Sequence, residues 1–555
     1  MRNKDKSTFR KIEFHRKESF YLLVRGLEVG IASGLIAVLY RFLLSFAEKY
    51  LMKIIDFVKG NPGKVAVWFV ILALIGFLVS MLVKWEVQGG GSGIPQVNGE
   101  VKGYINPSWW RVILVKLFGG TASVFSGLSL GREGPSVQLG GMAAKGVARF
   151  TKADKTTELR MISCGAGAGM AAAFNAPLAG TMFVLEEIHH TFDKSLLCMG
   201  IVSSITADYI SKLFFGQNTV FNYDTVNFPL KYYWLLIIMG FFLGLCGCAY
   251  NVCMGKAQDL YKKIKIPNYI KLPIIFVFSG VVGLVMPQIL CGGHSMEVIL
   301  LKENPSLTYL IVLLTTKFLF GAICFASGAP GGTLYPLCIL GAYMGAIFGT
   351  VSVNSFSAIT PAMWEEFVVI GMAGLFASIV RSPITGIVLV FELTGNMNNI
   401  LPLAVVSLIS YATANFIGVT PFYEYLFEKI VSTDHKKPSF FETDEKVLET
   451  YTIHLSAYLN IFCHFCRHFN HRCHKCSHKF HRIVIFQKRC LIRNDCIGCC
   501  MGFIKCIFCK IDHIIIDLVC RLLGNPVCNT SRNPLFFITI NKVLALFLHD
   551  CGFFL

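Results

Sequence analysis

Pro177-Leu-Ala-Gly-Thr-Met-Phe-Val-Leu-Glu186 is answered later in the chain by Pro383-Ile-Thr-Gly-Ile-Val-Leu-Val-Phe-Glu392, with the same nine-residue step from proline to glutamate. Gly165 and Gly371 keep the same offset of 206. A second set, Gly131, Pro135 and Gly140, returns as Gly332, Pro336 and Gly341 at an offset of 201. The chain therefore divides into two homologous halves, about 20–215 and 230–428. In both, the repeated motifs are apolar runs interrupted by glycine and proline. Broken apolar helices arranged as an internal repeat mark secondary-transporter folds, in which the substrate site lies between the repeats near the bilayer midplane. Spacing alone leaves open whether the halves are parallel or inverted.

Composition points the same way. Of the 555 residues, 54% are hydrophobic and 15% charged, against roughly 45–50% and 25% in soluble domains. The mean hydropathy is +0.59. Apolar stretches recur near 22–46, 65–84, 111–130, 160–186, 195–215, 232–255, 271–290, 308–347, 366–391 and 400–418. Such stretches approach the roughly 20 residues needed to cross about 30 Å of hydrocarbon. The expected fold is an all-α polytopic membrane protein of broken and tilted helices. A soluble enzyme, a disordered chain, collagen and a coiled coil are excluded. The formal charge of +18 sits in the first 17 residues and in the tail and not on one folded face, so nucleic acid is not the expected partner. It orients the chain instead: Arg2, Lys4, Lys6, Arg10, Lys11, Arg16 and Lys17 precede the first apolar run. The positive-inside rule makes residues 1–19 a cytoplasmic N-terminus in the cytoplasmic membrane. The run from Phe20 to Phe46 reads as a first spanning helix and not as a cleaved signal.

Three breaks carry the chemistry: Gly91-Ser92-Gly93-Ile94-Pro95, Gly131-Arg132-Glu133-Gly134-Pro135 and Gly332-Thr333-Leu334-Tyr335-Pro336. Glycine-rich breaks opening onto helix N-termini leave backbone N–H groups and positive dipole ends for a small anion. In the first, Ser92 either donates to that anion or merely caps a surface turn. Glu133, a carboxylate in an apolar segment, marks an ion or proton path. At a helix N-terminus it competes with the permeant anion, and protonation releases it, coupling anion movement to protons. The alternative is a pair with Arg132 at the membrane edge. Glu186 reads as a helix end at the cytoplasmic interface, and Glu187 as the inner entry of a proton path ending at Glu133. Lys116 and Arg381, inside apolar runs, read as counter-charges or as snorkelling side chains, the structural role being preferred, and Gly165-Ala-Gly-Ala-Gly169 reads as close helix packing and not a phosphate loop.

Taken together, GSGIP at 91–95, GREGP at 131–135, FNAPLAG at 174–180 with Glu186 and Glu187, GAPGGTLYP at 328–336, RSPITG at 381–386 and PFY at 421–423 resemble the CLC family of chloride channels and proton/chloride antiporters. The resemblance spans roughly residues 20–428. It implies halves of inverted topology and a homodimer in the lipid bilayer with one anion pathway per subunit. It also implies chloride bound by the hydroxyls of Ser92 and Tyr423 and by backbone N–H groups at Thr333 and Leu334. Glu133 would be the external gate and Glu187 the internal proton glutamate. Leu334 stands where the family usually has phenylalanine. Serine at 92 is similar to the chloride-selective members. The expected activity is proton-coupled chloride antiport, with a passive gated channel on the same fold as the alternative. No cofactor and no resident metal are implied, and the chain is expected to be a transporter and not an enzyme.

After a linker at 429–451 the composition changes. Residues 452–555 hold 13 of the 21 cysteines and 9 of the 14 histidines, and no glutamate follows Glu449. Cys463-x2-Cys466 and Cys473-x2-Cys476 are six residues apart, where a zinc ribbon wants roughly 15–20. The segment lacks any packing period and reads as a degenerate or frameshifted tail. The remote alternative is a membrane-anchored metal or redox sensor using its thiols.

Overall fold

The computed structural model describes residues 2–217, 221, 228–302, 305–356, 363–395 and 400–433, with backbone only for 2–19, 302 and 433. The Cys/His-rich tail lies outside the described residues. The first half runs α1 (Arg2–Val58), α2 (Pro62–Trp85), α3 (Ile94–Val101), α4 (Trp109–Leu114), α5 (Gly120–Phe125), α6 (Glu133–Phe150), α7 (Lys155–Phe174), α8 (Pro177–Phe183) and α9 (Lys194–Phe215). The second runs α10 (Tyr233–Lys263), α11 (Asn268–Val285), α12 (His294–Lys302), α13 (Leu307–Ala326), α14 (Leu334–Ser355), α15 (Trp364–Val380), α16 (Pro383–Thr394) and α17 (Ile400–Ile417), and α18 (Phe422–Thr433) follows. Eight of the described helices are long and apolar enough to cross a membrane. Within the apolar stretch at 111–130 a π-helical segment, Val115–Gly119, joins α4 to α5 in one continuous helical run that ends at Phe125. The stretch at 160–186 divides into α7 and α8, because Asn175 adopts the left-handed conformation (φ 56°) before Pro177. Arg381 (φ 70°) ends α15 in the same way before Pro383, at the repeat offset of 206.

Lipid tails give packed helices little hydrophobic advantage, so close approach between small residues holds the helices within each half together. A Cβ on Gly140 would collide with the carbonyl of Gly165, and one on Gly169 with that of Ser136. The α14–α15 pair repeats this with Gly341 against the Gly371 carbonyl, 2.7 Å from such a Cβ. Helix packing is thus what the 165–169 glycines do.

The two halves meet reciprocally. Gly131 N–H donates to the Gly332 carbonyl (2.7 Å), and Gly332 N–H returns the bond to Gly131 (2.8 Å). Glu186, partly exposed near the end of its helix, also has partners in the other half: its carboxylate accepts from the N–H groups of Ile384 (3.1 Å) and Thr385 (2.7 Å) at the start of α16. Glu392 does the same for Leu178 (3.0 Å) and Ala179 (2.8 Å) at the start of α8. A residue of one half contacting its counterpart's neighbourhood in the other, and the converse, is what a two-fold relation requires. Each carboxylate also satisfies free N–H groups at a positive helix end. Glu392→Ala is expected to destabilise the fold by about 1–2 kcal/mol, a cap's worth, seen as a lower thermal midpoint in detergent. Glu392→Gln, which keeps an acceptor, should lose less.

Lys116 and Arg381 are structural, and neither snorkels. The buried Lys116 ammonium donates to the Gly91 carbonyl (2.6 Å) and fixes the first glycine break. Arg381 donates to the carbonyls of Ala414 (2.7 Å) and Val419 (3.0 Å), fixing the chain that leads to α18.

Candidate anion and proton site

The three breaks predicted to carry the chemistry converge. Gly91 N–H donates to the Gly328 carbonyl (3.0 Å) and Gly331 N–H to that of Gly91 (3.1 Å), which pins the first break to the third. The second and third are joined by the Gly131–Gly332 pair. A Cβ on Gly134 would lie 2.6 Å from Ser92 Oγ and 3.0 Å from Gly332 Cα, so glycine is required where α6 begins against the other two breaks. Arg132 and Thr333, which open α6 and α14, make no side-chain cap to those helices. Their first-turn N–H groups are therefore left to other acceptors.

Into this junction point polar groups that the protein does not satisfy. Ser92 is 3% exposed and its Oγ has no protein hydrogen-bond partner. Tyr423 is fully buried, not part of an interfacial aromatic belt. Its hydroxyl adjoins that of Thr333, yet neither forms a well-shaped hydrogen bond. Buried hydroxyls left unsatisfied are costly unless a ligand takes them up, and donors of this kind at helix N-termini suit a desolvated anion. Leu334 is buried as the first residue of α14, where its side chain belongs to the apolar core.

Glu133 is completely buried at the first turn of α6. Its Oε2 accepts from Tyr335 N–H (3.3 Å), so it occupies the N-terminus of α14 as well as its own. Arg132 Nε stands 3.5 Å from Oε1. The neighbour pair set against the gating reading therefore does form. The two residues meet because Arg132 precedes the helix, and the pair lies inside the protein and not at a membrane edge.

Glu187 is 5% exposed on the π-helical segment Val184–Ile188 that continues α8. Its Oε2 accepts from Ser382 Oγ (2.8 Å). The Tyr423 hydroxyl lies within electrostatic reach of both Glu187 and Glu133. Two participants escaped the sequence reading. Ser382 is the repeat mate of Ala176 at the offset of 206, so a polar residue facing an apolar one across the repeats was its signal. Tyr250 in α10 adjoins the Thr333 hydroxyl and packs its ring 5.8 Å from Phe422. A tyrosine within an apolar run carries no such signal.

Paired broken helices, a buried polar junction and an acid on each side of it define a polytopic membrane transport protein built on two related halves. Residues 75–415 match the family described as voltage gated chloride channel, and the chain belongs to that family. It is 34% identical over 432 residues to the H(+)/Cl(-) exchange transporter ClcA of Vibrio campbellii, covering 75% of this chain and 91% of that one. It is 32% identical over 432 residues to the transporter of the same name from Citrobacter koseri, covering 75% and 90%. Among solved structures it is similar to a slow cyanobacterial Cl-/H+ antiporter, with a TM-score of 0.71 and 27% identity over 75% of this chain and 99% of that one.

Proposed function

We propose that this protein exchanges chloride for protons across the cytoplasmic membrane. The observation that carries the reading is the fully buried Glu133 carboxylate bound to the N-terminus of α14. A carboxylate there stands in for the permeant anion, and one added proton removes the charge that holds it. Ser92, Thr333, Leu334 and Tyr423 form the chloride site. Protons pass between Glu187 on the inner side and Glu133 on the outer side, with the N-terminus in the cytoplasm. Its relatives' printed names as H(+)/Cl(-) exchangers support the reading, as does the presence of both acids. The test is uphill proton movement driven by a chloride gradient in liposomes containing the purified protein. Chloride flux without protons would instead make it a gated channel.

The working unit is a homodimer. Apolar residues exposed on α9 and α17, among them Leu213, Phe214, Leu408 and Phe416 (93%), support this, and cross-linking in membranes tests it. Tyr423→Phe removes one hydroxyl from the chloride site and should weaken binding by about 0.5–1.5 kcal/mol, the worth of a typical hydrogen bond. Isothermal titration with chloride reads it directly.

A further inference from the structure

A cavity of about 370 Å³ opens over Glu133 and is lined by Glu48, Lys49, Arg132, Glu133, His294 and Tyr335, among others. Behind it is a hydrogen-bonded cluster that the exchange scheme above does not use. The Tyr335 hydroxyl lies 2.6 Å from Glu297 Oε2 and 2.7 Å from His294 Nδ1. A phenol has one proton, and the ionised carboxylate can only accept, so Tyr335 donates to Glu297 and its oxygen accepts from Nδ1–H. That assignment leaves Nε2 of His294 as the basic nitrogen. Of the three side chains, His294 is the most exposed to the cavity: it is 38% exposed, against 9% for Glu297, while Tyr335, also in the lining, is buried. Tyr335 also ties the cluster to the gate, because its own N–H donates to Glu133. The imidazole is within electrostatic reach of the Glu133 carboxylate.

The repeat explains how a histidine comes to stand there. Gly93 (φ 109°) precedes α3 at the anion junction, and Gly293 (φ 108°) precedes α12 in the corresponding turn of the second half. Lys116 and Lys317, 201 residues apart, each donate a buried ammonium to carbonyls of the turn before: Gly91 in one case, Ile289 and Cys291 in the other. Ile94 opens the first helix and His294 the second. The second half has thus placed a titratable ring where the first has an aliphatic side chain, above the gate and not at the anion.

We propose that His294 exchanges protons between the outer solution and Glu133, held in its working tautomer by Tyr335 and Glu297. The inference rests on the antiport reading. Nε2 takes a proton from cavity water, and the imidazolium returns it through water to the Glu133 carboxylate, leaving neutral imidazole and neutral acid. The groups facing the ring are Glu297 on α12, Tyr335 on α14, Arg132 and Glu133 at the start of α6, and Glu48 and Lys49 on α1, with Cys291 and Lys317 behind the turn. Histidine is the side chain whose ordinary charge change falls between about pH 5 and 8.

The test follows proton and chloride flux across that range with the full-length protein in liposomes, comparing wild type, His294→Gln and Tyr335→Phe. Wild type should show an inflection in the histidine range. His294→Gln should lose it and exchange several-fold more slowly, with the chloride-to-proton ratio unchanged. Tyr335→Phe keeps the backbone donor to Glu133 but removes the nearer of the two acceptors of Nδ1–H, leaving Glu297 Oε2 at 3.4 Å, and should displace the inflection. It also decides the matter if His294→Gln does not fold. Wild-type pH profiles in the variants would overturn the relay and leave antiport standing. A wild-type protein that moves chloride without protons would overturn both.

Discussion

Glu133→Gln is expected to carry chloride while moving protons no faster than protein-free vesicles. The amide has the shape of the protonated acid and can still accept from Tyr335 N–H, the contact that the carboxylate makes at 3.3 Å. What it lacks is the charge that drives a carboxylate onto two helix N-termini and the proton whose gain and loss would link the two fluxes. Glu133 is wholly buried and its chain lies in a junction where a Cβ on Gly131 would meet its Oε2 at 2.6 Å. A larger replacement would test packing as much as charge, so the isosteric change is the decisive one. Parallel recordings with a chloride electrode and a pH electrode read both fluxes in one preparation. Uphill proton pumping by Glu133→Gln would remove Glu133 from the coupling step.

The two-half architecture was legible because a repeat leaves its mark in spacing. Offsets of 201 and 206 paired glycines and prolines, and the residues two places before the paired prolines, Asn175 and Arg381, turn out to share the left-handed conformation. The three glycine breaks were legible too, since only such breaks open helix ends inside a bilayer-depth segment. Tyr423 came from family resemblance alone. Nothing in one sequence distinguishes a tyrosine buried beside Thr333 from one at an interface, because the difference is made by α18 folding back against α3 and the turn that follows it, where Phe427 meets Tyr104 (5.4 Å). The partners of Glu186 are hidden for a related reason. A glutamate after an apolar run reads as a helix end in water, yet its partners are N–H groups 198 and 199 residues away. Those partners exist only once the second half has packed against the first. The repeated proline-to-glutamate step held that information, since both glutamates recur at the same place, but the step says that they are equivalent and not that they are exchanged.

Glu187→Gln is the second large expected effect: proton coupling should be lost while anion transport continues. The reasoning differs from that at Glu133, because Glu187 does not touch the convergence of the three breaks. It sits on the π-helical continuation of α8 with one hydrogen bond, from Ser382 Oγ, and glutamine preserves an oxygen to accept it. The substitution therefore leaves the packing of α8 against α16 in place and removes only a group able to take up and release a proton. Ionisable groups at this depth are expensive to keep unless they serve a path. Ser382→Ala provides the counterpart, since it retains the acid and deletes the hydroxyl that fixes its rotamer. It should keep coupled exchange at a reduced rate. Loss of chloride flux in Glu187→Gln would show that the acid supports the anion pathway itself. Undiminished proton movement would show that protons enter past Glu187 and reach Glu133 by another route.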